Sequence, residues 1–174
     1  MNTYGKKYIA AIVAVIIIAA GLTGLVYYQA SQAAANDGHV AMKVADSPNL
    51  GVSGVFMTFS KVSLHSNVSG WTNYSVKSQT IDILGVNTTN AFLLTNITLK
   101  AGTYTMIRLY ITNVSVDILG VSVNFTLHAP FAFINHPFKV SAHGNMKVII
   151  DFNLTQDLNL NAKVFTPNVG VVVS

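Results

Sequence analysis

The sequence predicts an all-β fold: a single immunoglobulin-like antiparallel β-sandwich preceded by an N-terminal hydrophobic segment. Three observations carry this. Apolar residues alternate with polar ones along most of the chain, as in Met146, Val148, Ile150, Phe152 and Leu154 against Lys147, Asp151 and Asn153. Turn pairs such as Ser69-Gly70, Ala101-Gly102, Leu119-Gly120 and His143-Gly144 cut these runs at regular intervals. Period-two runs separated by such turns are strands of sheets with one wet face, and many of them make a two-sheet sandwich. Finally, the only long uncharged apolar run, Tyr8 to Tyr28, stands outside this pattern at the start of the chain.

The elements follow in order. Lys6 and Lys7 precede the apolar run, and the next charge is Asp37. The run is long enough to span a bilayer, for which about 20 apolar residues suffice. It also contains a shorter core, Ile9 to Ile18, followed by small residues, the pattern of a cleaved signal. Two readings stay open: a signal peptide over 1–21, cut after Gly21 or Gly24, or an anchor retained over 6–28. Residues 22–38 are a tail and linker, the linker proper being the Ala-rich polar stretch Ser31 to Gly38. Residues 39–174 are the sandwich, with strands expected at 39–45, 52–65, 74–84, 92–99, 103–118, 121–128, 131–141, 145–155 and 161–173. The fifth strand changes phase: Ile107, Leu109 and Ile111 share one parity, Val114, Val116 and Ile118 the other. A slip of one residue exchanges the two faces, so a bulge belongs near Thr112 and Asn113. No stretch after Ser31 has helical periodicity.

The N-terminal apolar run predicts export of everything after it to the cell surface, and composition narrows the class. Charged residues are 9 % and hydrophobic ones 51 %, against about 25 % charged in an ordinary soluble domain. All six acids are Asp and there is no cysteine. Stability must therefore come from β-packing, glycans or assembly rather than disulfides. Few carboxylates leave little to protonate, which predicts tolerance of acid. Without Lys6 and Lys7 the net charge falls from +4 to +2, and the remaining basic residues are scattered singly. A nucleic-acid footprint needs them gathered on one face. No nucleic-acid partner is expected.

Seven N-x-S/T sequons stand at Asn67, Asn73, Asn87, Asn96, Asn113, Asn124 and Asn153. With 16 Asn and 28 Ser plus Thr, chance predicts about 2.6 of this acceptor motif. Asn113, Asn124 and Asn153 fall on the polar parity of their strands, where a glycan projects into water. The sequence predicts an N-glycosylated surface.

Catalytic signals are thin. His39, His65, His128, His136 and His143 lack the cysteine of a blue-copper site and the acids of a zinc site. Asp46, Asp82 and Asp151 are candidate Ca²⁺ donors, yet no local run of acids gathers them. There is no phosphate-binding glycine loop and no nucleophile elbow. No enzyme, metal site or cofactor is expected, and Trp71, beside the Ser69-Gly70 turn, is read as a core or turn-packing residue.

The succession Val44-Ala-Asp-Ser-Pro48, Val62-Ser-Leu-His-Ser66 before Gly70-Trp71, Thr80-Ile-Asp-Ile-Leu84, Ala101-Gly-Thr-Tyr-Thr-Met-Ile-Arg-Leu109, His136-Pro-Phe138, Ile150-Asp-Phe152 and Thr166-Pro167 resembles a family of exported β-sandwich domains of archaeal and bacterial surfaces. The layout as a whole is similar to subunits of the archaeal thread, a thin glycosylated surface filament of thermoacidophiles. It shares their short signal, N-terminal tail, single sandwich, dense sequons and few charges. That resemblance implies a homopolymer assembled by donor-strand complementation, for adhesion or cell–cell contact. It also implies contact with the membrane only through the signal or anchor. In this sequence the donor falls on Leu22 to Tyr28, where Leu25 and Tyr27 take one parity and Val26 and Tyr28 the other. The alternative is a membrane-anchored monomeric surface module that binds a solute or an S-layer partner.

Overall fold

The computed structural model describes residues 18–19, 21–29, 31–32, 35–46 and 51–174. Most of the predicted signal or anchor core and the Ser47-Pro48 turn lie outside them. The described chain is a two-sheet β-sandwich. Its strands are β1 (Asp37–Asp46), β2 (Gly54–Ser66), β3 (Gly70–Asp82), β4 (Phe92–Lys100), β5 (Gly102–Ile118), β6 (Val121–Leu127), β7 (Phe131–Val140), β8 (Asn145–Phe152), β9 (Leu158–Asn159), β10 (Val164–Phe165) and β11 (Val169–Val173). The four-stranded sheet has the order β11-β8-β1-β4. The other runs β3-β2-β5-β6-β10-β9, with β7 paired to the first half of β5.

Eight of the expected strands stand within a few residues of their predicted bounds, and several details differ. The ninth, expected at 161–173, is divided into β10 and β11, and a single helical turn, Leu154–Asp157, follows β8 where strand was expected. That turn is too short to show a period. The pairing is also not wholly antiparallel, because β1 pairs β8 in parallel, as β10 does β6. Partners so far apart in sequence leave no hairpin signal between them. Finally, β1 begins at Asp37, inside the predicted linker. Gly38 makes this possible: a Cβ there would lie 2.5 Å from the Ser141 carbonyl oxygen and 2.6 Å from Val140 Cγ1.

The phase change in β5 is a bulge at the expected place. Thr58 faces Asn113 and Phe59 faces Ile111, which leaves Thr112 as the extra residue. Ile107, Leu109 and Ile111 before it, and Val114 and Val116 after it, all reach the core. On the side away from β2, one long strand thus serves two partners, β7 on its first half and β6 on its second.

The inner faces interdigitate around Phe59, Phe152 and Phe165, with ring centroids 6.1 and 6.3 Å apart. All three are essentially fully buried, and each such side chain contributes about 1.5–3 kcal/mol. Core residues from both sheets, among them Val40, Met42, Met57, Leu64, Ile107 and Ile150, are at 0 % exposure. The sandwich therefore fills its own interior.

Candidate functional site

The seven sequon asparagines are all exposed. Asn67 is in the β2–β3 turn, Asn73 on β3, Asn87 in the loop before β4, Asn96 on β4, Asn113 at the bulge, Asn124 on β6, and Asn153 just after β8. Asn73 accepts a short hydrogen bond from the Ser63 hydroxyl on its Oδ1. The Asn87 Oδ1 caps the N–H groups of Thr89 and Asn90.

The expected donor segment takes a different form. Residues 21–29 are helical, so Leu22, Leu25, Val26, Tyr27 and Tyr28, together with Gly21 and Gly24, lie on a helix and not on an extended strand. The physical reason is local. A lone extended segment has no partner for its N–H and C=O groups, whereas a helix pairs them internally. The Ser31 hydroxyl donates to the Tyr28 carbonyl at the helix end. The five apolar side chains are 57–79 % exposed, so nothing in the described chain covers them. Among the described residues no helix is long and apolar enough to cross a membrane.

Among the described residues the edge strands of the two sheets are β3, β4, β7, β11 and the two-residue β9, and they differ in protection. Native sheets guard open edges with Lys, Pro or bulges. β3 carries Lys77, β4 carries Lys100, and β7 carries Pro137 and Lys139. β11 reads VGVVV and carries none of these. Ser174 and Lys147 exchange both backbone hydrogen bonds. By alternation, the N–H and C=O groups of Val169, Val171 and Val173 then point away from β8, along the open edge. Their side chains are half-buried against the core.

The outer face of the larger sheet holds a cluster that the sequence reading missed. Three rows cross β3, β2, β5 and β7: Trp71-His65-Met106-Asn135, Asn73-Ser63-Arg108-Phe133 and Ser75-Lys61-Tyr110-Phe131. The Arg108 guanidinium carbon lies 4.0 Å from the Trp71 ring centroid, 5.1 Å from Phe131 and 6.0 Å from Phe133. Lys61 Nζ stands 3.9 Å over Tyr110, which packs 5.3 Å from Phe131. His65 meets the Trp71 edge at 5.2 Å and bonds Thr105 through Nδ1 at 2.8 Å. Ser63 faces outward yet is 2 % exposed, because this ladder covers it. Trp71 is thus a surface residue of the ladder rather than a core residue. The alternation Phe131-Ala132-Phe133, which puts two rings on one face, was the available signal.

Among the described residues two carboxylates are buried. Asp46 accepts the Leu154 N–H on Oδ1 at 3.2 Å, and Asp157 accepts the Asn168 N–H on Oδ1 at 2.7 Å. Burial pushes the Asp157 carboxyl up to about 7. The N–H groups of Asn168 and Asn153 partly offset this, and the neighbouring Asp46 adds to it. The candidate Ca²⁺ donors are dispersed: Asp82 binds the N–H groups of Val55 and Leu84, and Asp151 is on β8. The five histidines are not gathered either, and among the described residues no three His, Cys, Asp or Glu form a metal-holding group.

A family model described as a domain of unknown function (DUF4382) matches residues 37–167, the sandwich from β1 to just before β11. No curated protein and no solved structure matches the chain.

Proposed function

The chain belongs to the DUF4382 family, and we propose that it is the structural subunit of an exported, glycosylated surface filament of the archaeal-thread kind, built by β-augmentation. The observation that carries this reading is the bare apolar edge of β11. An open strand with outward N–H and C=O groups, half-covered valines and no guarding charge is a template for a strand from a second copy. Because the core is already filled, the incoming strand adds to that edge instead of completing a missing position. A head-to-tail contact of this kind does not close on itself and propagates as a fibre.

The donor is Leu22–Tyr28, set free whole by cleavage after Gly21 and shortened to Leu25–Tyr28 by cleavage after Gly24. Its helix is a weak one to give up. Gly within a helix costs about 0.5–1 kcal/mol relative to Ala, Val26 is β-branched, and Tyr27 and Tyr28 favour strands. Seven exposed sequons suit a glycosylated exterior, and a buried acid that prefers its proton suits an acidic one. The filament is then a homopolymer serving adhesion or cell–cell contact.

A second reading has its own observation. The helical form of residues 21–29, apolar on all sides and exposed, fits the end of a retained anchor on a monomeric surface module. Mass spectrometry of the N-terminus of protein recovered from the cell surface separates the two. A start between Leu22 and Leu25, with filaments visible by electron microscopy and lost in Leu25→Asp/Val26→Asp, is the expected result. An intact segment from Lys6 in the membrane fraction overturns the filament and leaves the anchored module.

A further inference from the structure

We propose that the outer face of the larger sheet, centred on Arg108, is a binding platform for an acidic polysaccharide. This goes beyond assembly and does not depend on it, since the face and the β11 edge belong to different sheets.

Charge is the first argument. None of the twelve residues in the three rows is a carboxylate, while Arg108, Lys61 and His65 all lie among them. The Arg108 Nε is buried with no hydrogen-bond partner, and its guanidinium carbon lies 4.0 Å from the Trp71 centroid and 5.1 Å from that of Phe131. A guanidinium packed against rings has surrendered part of its hydration before any ligand arrives. Its terminal nitrogens then offer a paired, charge-assisted contact to a carboxylate.

Shape is the second. The site is an open sheet face, with Trp71 and Phe133 as apolar flanks, the Asn135 amide at one end, and at the other the amide of Asn73, whose Oδ1 already accepts from Ser63. Phe133 is 46 % exposed, a ring offered to solvent on a strand whose inner residues fill the core. Sugar rings present the matching surface, an apolar C–H face edged by hydroxyls. A peptide needs clefts for its side chains or an unguarded strand edge, and the edges of this face, β3 and β7, are guarded by Lys77, Pro137 and Lys139. Single-stranded nucleic acid needs a cationic groove that tracks successive phosphates. Here Lys61 lies against Tyr110, and Arg108 stands as one focus of charge.

The test uses the full-length chain in detergent micelles, made in a host that adds no N-glycan, against three probes. These are polygalacturonate, its neutral methyl ester and a thymidine oligonucleotide, with binding read by calorimetry. The expected result is binding of polygalacturonate only, weakened about tenfold or more in Arg108→Ala, and weakened also in Phe133→Ala. The exposed Phe133 ring makes that variant safe for folding if Arg108→Ala does not fold. Failure to bind the acidic polymer, equal binding of the neutral ester, or full binding by the variants overturns the proposal. Tighter binding of the oligonucleotide overturns it in favour of nucleic acid. If the unglycosylated chain binds but protein from the native cell surface does not, it is overturned as well, because a sugar on Asn73 then occupies the face.

Discussion

Asp157 gives the clearest consequence at the scale of one residue. Its carboxyl is 1 % exposed and titrates near 7 in the fold, against 3.8 for an ordinary aspartate. Below pH 3.8 both folded and unfolded chains hold the proton, and the group contributes nothing to stability. Between there and 7 the unfolded chain releases its proton while the folded chain keeps it, so stability falls as pH rises. The accumulated loss at neutral pH is on the order of a few kcal/mol. Thermal melts should therefore show a higher Tm at pH 4 than at pH 7, the reverse of the usual acid lability. Asp157→Asn keeps an oxygen for the Asn168 N–H and removes the charge. It should raise Tm at pH 7 by several degrees, leave it nearly unchanged at pH 3, and flatten the profile. A wild-type Tm that climbs from pH 4 to 7 sinks the argument. The small number of carboxylates already predicted acid tolerance from the sequence. The burial of this particular aspartate was not legible, because it depends on the Asn168 loop returning to the Leu154–Asp157 turn from eleven residues away.

At the scale of elements, the β5 bulge ties sequence to architecture most directly. Thr112 is the one residue that lets Ile111 and Val114 both face inward. Deleting it should turn Val114 and Val116 to water or break the pairing with β6, and circular dichroism should record loss of the cooperative melt. Thr112→Gly, which keeps the residue count, should cost about 1 kcal/mol or less and melt cooperatively. A deletion variant that melts like the wild type would sink the register argument. This bulge was legible because a phase slip is local: six apolar residues on one strand declare it. Strand pairing across the sheet is not local, which is why the parallel β1–β8 neighbours escaped the reading. Residues 21–29 were ambiguous for another reason. An apolar segment with no polar face has neither the 3.6 nor the 2.0 period, so its conformation is decided by whatever partner it meets. The Arg108 ladder required four strands to be set side by side before its rings and charge could be counted on one face. From the sequence alone these were scattered single residues.

The whole molecule poses a problem of edges. A sandwich with this much apolar sequence and 9 % charge has little to keep its sheets apart in solution; the described edge strands β3, β4 and β7 hold Lys or Pro, and β9 is only two residues long. β11 is different, and the difference can be tested without disturbing the fold. Because the Val171 N–H points away from β8, Val171→Pro removes a donor from the open edge and leaves the β8 ladder complete. Proline is tolerated on an edge strand in that position. The variant should be secreted and should melt within a few degrees of the wild type, yet fail to form filaments by electron microscopy. The converse change, Pro137→Val with Lys139→Val, strips the guards from β7 and should produce irregular aggregates while leaving the β11 contact intact. If Val171→Pro assembles normally while the β7 double variant does not, the polymer contact lies on the flank of the larger sheet, and the reading of β11 as the acceptor edge fails.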